Sequence, residues 1–323
     1  MHIAVLMGGV SSEREISVLS SYEITKALRA LGHHVTVIEM TEGVLTQAQE
    51  ARWFSVVANH VPPLEKEKQE LPLANLLGRL NALDKVFIGL HGGRGENGSI
   101  QSELESLGIP FTGSGSLACA LAMDKQKTKD QYIKSGLPTP EWELIKSHEA
   151  VTLGYPVIIK PNQEGSSVGL RLVHNPREAT DAIEFASNYD DAILVETYIE
   201  GQEYTVGVLD ERALMPGGIY PKHSKLFDYE SKYQAHLTDE IFPPGELSPD
   251  DIKYLQDLAL SAHKTLSLSG YSRTDFMRDR SGNFYLLETN TLPGLTQQSL
   301  LPKSALASGI DFLELIKRSE EHT

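Results

Sequence analysis

Apolar residues in this chain gather into short runs that close on glycine, lysine or an acidic residue, and their spacing changes partway along. Residues 2–7 form an apolar run that stops at Gly8-Gly9 and predicts a strand. Residues 17–31 follow, with Ile16, Leu19, Ile24, Leu28 and Leu31 at mainly helical spacing and Gly32 as the stop. Residues 35–38 and 86–90 predict two more strands, the second entering His91-Gly92-Gly93-Arg94-Gly95-Glu96-Asn97-Gly98 and then a helix over 99–107. Residues 42–72 are polar and Pro-containing, with no assignable period and little expected chemistry. This βαβ rhythm predicts an open parallel sheet whose working loops follow the C-terminal ends of its strands.

Around Ala120 the pattern changes. Two helices, from about Leu117 and Lys125, lead to the stiff connector Pro138-Thr139-Pro140. Strands then dominate, over 157–160, 168–173, 193–196 and 204–209, with one helix over 176–187. That predicts an antiparallel α+β module. Residues 223–249 make a long stretch rich in charge, Tyr, Pro and Gly, the length of a functional lid. A helix over 249–268, two strands and C-terminal helices complete the chain.

At 323 residues the chain exceeds one core, so two or three domains are expected. With 40% apolar and 23% charged residues it is not mainly disordered. No apolar run nears the roughly 20 residues that span a bilayer, and the N-terminus reads as a strand, not a signal peptide. The single cysteine, Cys119, sits among apolar neighbours and predicts core packing in a reducing cytoplasm. A net charge of −15 disfavours nucleic acid and anionic membranes as partners. An anionic nucleotide therefore needs local cations, for which Lys125, Lys160, Lys232 and Arg273 are candidates.

The most telling stretch is the pair of late strands ending in Arg273-Thr274-Asp275 and Leu287-Glu288-Thr289-Asn290. Alternation puts Glu288 and Asn290 on one face with Thr289 opposite. With Asp275 they offer two carboxylates and an amide oxygen, a hard donor set suited to Mg²⁺ with a nucleotide's phosphates. Solvated strand ends in a hairpin are the plain alternative. Glu164-Gly165-Ser166-Ser167-Val168-Gly169 makes a flap of N–H and O–H donors able to fold over phosphates. Lys160 closes a wholly apolar strand, where an anion partner is favoured over snorkelling to solvent. The loop Gly8 to Ser17 carries Glu13, suited to a substrate ammonium group or, equally, to capping the helix. Residues 196–203 can read an adenine edge by backbone while Glu203 accepts from ribose, or they are a hairpin corner. His91 can donate to a carboxyl or phosphate oxygen or be structural. In the long loop, Lys232 can bring charge to phosphates and Tyr233 a phenol to substrate. Gly113 to Ala118 matches a dinucleotide fingerprint only weakly and reads as a helix-start turn.

It is the order of these segments that is specific. Across essentially its full length the chain resembles the ATP-grasp superfamily and, within it, the D-alanine–D-alanine ligases. The matching stretches are G-G-V-S-S-E-R-E-I-S, L-H-G-G-R-G-E-N-G, T-G-S-G-S-L-A-C-A-L-A-M-D-K, I-K-P-N-Q-E-G-S-S-V-G-L, D-Y-E-S-K-Y and L-L-E-T-N-T-L-P-G-L-T. The resemblance implies an α/β N-terminal domain with an open parallel sheet over 1–120, followed by two α+β ATP-grasp subdomains. The central one, 121–205, would carry the phosphate flap, and the last, 206–323, the lid and metal site.

It implies that two D-alanines are joined with ATP through an acyl phosphate, for peptidoglycan precursors. Lys125, Lys160, Ser166, Ser167 and Lys232 would meet phosphates. Glu196, Tyr198 and Ile199 would border adenine, with Glu203 on ribose. Two Mg²⁺ (or Mn²⁺) would sit on Asp275, Glu288 and Asn290, and a monovalent cation is left open. The first D-alanine would meet Glu13, with His91 near its carboxylate. Glu13, Ser166 and Tyr233 would form a hydrogen-bonded trio. Arg273 and the Gly294 N–H would form the oxyanion hole, and Ser299 would bind the second D-alanine's carboxylate. A homodimer is the family's habit.

Three departures stand out. Asn97 occupies a position usually held by Asp, Thr197 one where some members have Lys, and the insert around 53–70 has no assignable counterpart. The alternatives are a D-alanine–D-lactate ligase, disfavoured by Tyr233, and a non-catalytic nucleotide-binding regulator, disfavoured by Arg273 beside the three metal candidates. A nicotinamide oxidoreductase has only Gly113 to Ala118 in its favour.

Overall fold

Strands His2–Met7, His34–Glu39 and Lys85–Ile88 pair in parallel, with His2–Met7 in the middle and the short Gly43–Val44 antiparallel at one edge. The computed structural model describes residues 1–56, 68–80, 82–222 and 238–321. The middle strand is buried from Ile3 to Met7, which is why it reads as one unbroken apolar run. The first helix spans Arg14–Ala30, three residues ahead of the expected start. The polar Arg14-Glu15 pair hid that start, because Arg14 is buried against the buried Glu39 at 2.6 Å. Gly32 follows the helix at φ +85°, the left-handed stop that glycine permits without strain.

The stretch that carried no period is partly ordered structure. It contains Gly43–Val44 and the helix Gln47–Val56, with Trp53 and Phe54 packed against Met7, Val37 and Leu45. Glu70, near the end of that stretch, ties the first loop down: its carboxylate accepts from the Val10 N–H at 2.8 Å and from Arg94 at 2.6 Å. Ser17 Oγ takes the Gly8 N–H at 2.9 Å. The glycine turn thus spends its N–H groups inside the protein and does not offer them to an external anion.

The middle of the chain forms a second, antiparallel sheet in the order Trp142–Ile145, Ile193–Thr197, Val157–Pro161, Arg171–Val173. Helix Pro176–Ala186, capped by Asn175 and opened by its proline, lays Ala179, Ala182, Ile183 and Ala186 on that sheet. The strand expected over 168–173 is shorter, Arg171–Val173, because the flap before it is a turn. A third sheet runs Thr238–Ile241, Gly217–Pro221, Gly201–Leu209, Tyr271–Asp279, Phe284–Asn290, with Arg212–Ala213 paired to Gly201–Leu209. A sequence division at 205/206 falls inside Gly201–Leu209, so we propose placing it before Gly201.

Helix Pro249–Thr265 starts on a Ser248–Asp251 capping box. The last helices, Leu300–Ala307 and Phe312–Glu321, return to the first sheet. Leu301, Ala305, Leu315 and Ile316 share one core with Ile3, Leu6 and Phe87. This return brings loops from all three sheets to one cleft.

Candidate active site

The antiparallel pairing of Tyr271–Asp279 with Phe284–Asn290 sets Asp275 directly opposite Glu288 and Arg273 opposite Asn290. The alternation read from the sequence holds: Thr289 turns inward, bonded to Tyr132 at 2.7 Å and Thr274 at 2.8 Å. Asp275 is buried and densely held. Arg273 meets both its oxygens, Nε at 2.9 Å and Nη2 at 2.8 Å, and Asn290 Nδ2 donates at 3.2 Å. Thr205 Oγ1 adds a bond at 2.7 Å from the neighbouring strand. Glu288 lies 3.9 Å from Lys125 Nζ.

The three oxygen-bearing side chains are thus brought together, with no imidazole or thiol among them, and the donor set fits a hard divalent cation. Among the described residues no three His, Cys, Asp or Glu side chains gather to hold a metal unaided. A cation at this point needs further oxygens from bound phosphates, the usual manner of Mg²⁺.

Two cavities meet at Glu288. The first encloses about 1050 Å³, its open mouth included, at the upper end of ordinary ligand pockets. Lys125, Lys160, Ser167, Glu196, Tyr198, Ile199, Glu203, Asp275 and Glu288, all sequence candidates, border it. Ile158, Ile219, Met277 and Leu287 supply apolar walls fit for a flat base. The second, about 1350 Å³, is bordered by Glu13, His91, Ser166, Arg273, Glu288, Asn290, Gly294 and Ser299.

Buried lysines dominate the first cavity. Asp124 caps the Lys125–Lys134 helix by accepting from the Lys127 N–H at 3.1 Å, which fixes the side chains that follow. Lys160 Nζ is 2.6 Å from Glu196 Oε1, and Lys129 Nζ is 3.0 Å from Glu196 Oε2. Burial alone would raise the Glu196 carboxyl, but the two lysines outweigh it and hold it at about 2. Burial pushes the Lys129 ammonium down to about 8 against the pull of Glu196, and lowers Lys125 as well. The Glu196 carboxylate therefore positions Lys160, while Tyr198 and Ile199 border the cavity beside it. Lys129 was missed in the sequence, although its i+4 spacing from Lys125 puts both on one helical face. Thr205 gave no sequence signal at all.

The flap joins the two cavities. Ser166 and Ser167 both adopt left-handed backbone, at φ +50° and +58°, each at a cost of roughly 1–2 kcal/mol. Ser166 Oγ donates to Glu13 Oε1, and Lys125 donates to the Glu164 carbonyl, so the strained turn is pinned from both sides. Gly92, at φ +64°, leaves room for Glu13, whose Oε2 would lie 2.8 Å from an added Cβ. The Glu13–Ser166 link expected from the resemblance is present, while Lys232 and Tyr233 lie outside the described residues.

His91 borders the second cavity, but both its ring nitrogens are engaged, Nδ1 with the Leu292 carbonyl at 2.9 Å and Nε2 with Ser20 Oγ at 3.0 Å. In this arrangement it anchors the Leu292 turn while its ring stands at the cavity border. Glu96, missed in the sequence, lies 3.7 Å from His91 and also borders the cavity. Burial raises its carboxyl, with His91 pulling the other way. Ser299 precedes helix Leu300–Ala307 and lies 2.8 Å from Thr296 Oγ1. A Cβ on Gly294 would stand 2.8 Å from Ser299 Oγ. Asn97, the departure from the usual Asp, accepts from the Ser99 N–H at 3.0 Å and so acts locally. Gly113 to Ala118 is a helix-start turn, its first helical N–H, on Ser116, taken by Glu105 at 2.8 Å. Cys119 is buried, its thiol pushed up to about 12 by burial, and is no nucleophile.

Known proteins resemble this chain along nearly its whole length. The family model described as D-ala D-ala ligase N-terminus matches residues 2–114, and that described as D-ala D-ala ligase C-terminus matches 133–319. A D-alanine–D-alanine ligase of a Marinomonas species is 40% identical over 322 residues, covering 98% of this chain and 93% of that protein. One of Geobacter sulfurreducens is 40% identical over 323 residues, covering 98% and 92%. The crystal structure of the Bacillus anthracis ligase superposes with a TM-score of 0.80 at 32% identity, covering 99% of this chain and 96% of that one. The same ligase complexed with ATP gives 0.76 at 30% identity, with 99% and 97% covered. This chain belongs to the D-alanine–D-alanine ligase family and is an ATP-dependent ligase of the ATP-grasp fold.

Proposed function

We propose that the first cavity holds ATP and the second two D-alanines, which the chain joins to D-alanyl-D-alanine for peptidoglycan synthesis. The observation that carries this reading is the position of Glu288, which borders both cavities opposite Asp275. Among the described residues Glu288 is the one side chain common to both borders, so a triphosphate in one cavity and a carboxylate in the other would meet beside it.

A free carboxylate is a poor acyl donor, and its approach to a triphosphate is opposed by like charge. Lys125 and Lys160 offset that charge at the phosphates, with Ser167 and the flap N–H groups closing over them. Asp275, Glu288 and Asn290 would hold Mg²⁺ or Mn²⁺, which when bound would supply positive charge to offset that of the phosphates. Glu13 holds the first substrate's ammonium group, and Ser166 ties that loop to the flap so that both substrates are ordered together. The first D-alanine's carboxylate oxygen attacks the γ-phosphorus, ADP leaves, and an acyl phosphate remains. The neutral amine of the second D-alanine attacks the acyl carbon. Arg273 and the Gly294 N–H stabilise the oxyanion before phosphate departs. Ser299, just ahead of helix Leu300–Ala307, meets the acceptor's carboxylate. Water would hydrolyse the acyl phosphate, so the segment carrying Lys232 and Tyr233 acts as a lid.

The domain division 1–120, 121–200 and 201–323, a cytoplasmic location, an optional monovalent cation and a homodimer belong to the same reading; the buried lone thiol of Cys119 supports a reducing compartment. The test is ATP turnover with D-alanine alone. Phosphate release that depends on D-alanine, with D-alanyl-D-alanine found by mass spectrometry, supports the reading. Turnover only when D-lactate is added would favour the depsipeptide alternative, and none with either would leave a nucleotide-binding regulator.

A further inference from the structure

Entry of an acceptor carboxylate into the second cavity poses an electrostatic problem. Its border carries Glu13, Glu96, Glu240 and Glu288 against Arg273 and Lys303. Arg273 already spends a two-pronged contact on Asp275. Among the described residues Lys303 is the other lysine or arginine on the border, and neither it nor Glu240 was singled out in the sequence.

The location of Lys303 is built, not incidental. It lies four residues after Ser299 on helix Leu300–Ala307, on the same helical face, and its N–H bonds the Ser299 carbonyl at 3.1 Å. The helix is clamped at the next residue: Ser304 Oγ donates to the Met215 carbonyl at 2.6 Å and accepts from the Gly207 N–H at 3.4 Å. Gly207 lets the helix approach, since a Cβ there would meet Leu301 at 2.6 Å. Across the cavity, strand Thr238–Ile241 alternates, with Thr238 and Glu240 inward and Asp239 outward against Lys222 at 2.8 Å. Glu240 Oε2 meets Lys303 Nζ at 2.7 Å, and the Lys303 side chain is 30% exposed. Lys303 is thus fixed at its root, open at its tip, and held by a carboxylate.

We propose that Lys303 is a specificity-determining cation of the acceptor subsite, where the incoming carboxylate displaces or shares the place that Glu240 occupies. This rests on assigning the second cavity to the amino acids. Glu240 keeps Lys303 neutralised until a ligand with its own carboxylate arrives, so an acceptor lacking that charge has to leave the Lys303–Glu240 pair intact and gains nothing from it.

A competition between D-alanine and D-alaninamide as acceptors tests the assignment, because the amide removes only the negative charge. With ATP and D-alanine as donor, mass spectrometry separates D-alanyl-D-alanine from D-alanyl-D-alaninamide and gives the product ratio. A bond to a charged group implies a ratio lowered about tenfold or more in Lys303→Gln, kept in Lys303→Arg, and raised in Glu240→Gln. A merely structural lysine would slow both products equally and leave the ratio alone. A ratio within about twofold of the native one in Lys303→Gln overturns the proposal. Should that variant not fold, an unchanged ratio in Glu240→Gln overturns it instead. A native enzyme that makes neither product overturns the functional assignment itself, a separate outcome.

Discussion

Replacing Glu196 by Gln removes the one carboxylate between two buried ammonium groups. Lys129 is fully buried and Lys160 nearly so. At 2.6 and 3.0 Å, each pair attracts by about 6 kcal/mol at an effective dielectric near 20. An amide forfeits nearly all of that, and the lysines recover part by releasing a proton or admitting water. Lys129 already titrates near 8 and is the first to do so. Loss of one partner from a buried ion pair leaves a net cost of about 3–5 kcal/mol. Urea unfolding followed by circular dichroism reads this cost, and ATP saturation kinetics read the displacement of Lys160 as a raised KM for ATP. The double variant Glu196→Gln with Lys129→Met should regain about half of the lost stability, since one stranded charge is gone. If Glu196→Gln unfolds within about 1 kcal/mol of the native chain and its KM for ATP is unmoved, the triad is not what holds Lys160, and the reasoning fails.

Other perturbations bear on separate parts of the molecule. Thr205→Val strips Asp275 of a 2.7 Å bond and should raise the divalent-cation requirement about tenfold, read from turnover against Mg²⁺ concentration; an unchanged requirement removes Thr205 from the site. Glu288→Gln should abolish turnover in cation-replete buffer while the unfolding midpoint stays put, and chelation should silence the native enzyme reversibly. His263 is buried with Nδ1 2.7 Å from Ser272 Oγ, and burial pushes its pKa down to about 4 from 6.5. The unfolded chain then binds the extra proton between those values, so stability is full above pH 6.5 and falls toward pH 4, by up to about 3 kcal/mol. His263→Gln should flatten that slope in pH-dependent denaturation. Glu13→Gln should raise the KM for the first D-alanine more than that for ATP; equal changes would place Glu13 in the flap's support and not at the ammonium group.

Much of this architecture was legible because the buried strands declare themselves. The runs at 2–7, 157–160 and 193–196 match His2–Met7, Val157–Pro161 and Ile193–Thr197 almost to the residue, since both faces of each are covered. The grouping of Asp275, Glu288 and Asn290 was legible because alternation and a hairpin leave few ways to arrange them. What escaped was carried by pairings between residues far apart in the chain. Arg14 hides a helix start because Glu39 neutralises it, and Glu70 ends a featureless stretch yet bonds Val10. Lys129 looks solvated until Glu196 arrives from another strand, and Lys303 gains meaning only opposite Glu240. A local pattern shows where a charge stands along an element, not which opposite charge the fold will bring to it.

The common wall at Glu288 has a consequence for inhibition and escape. A molecule spanning both chambers would touch the carboxylate that borders them both, which on the proposed reading serves ATP and D-alanine alike. On that reading, a chain that altered this residue to shed such a molecule would also weaken its hold on its own ligands, so the seam is the place where resistance is hardest to evolve.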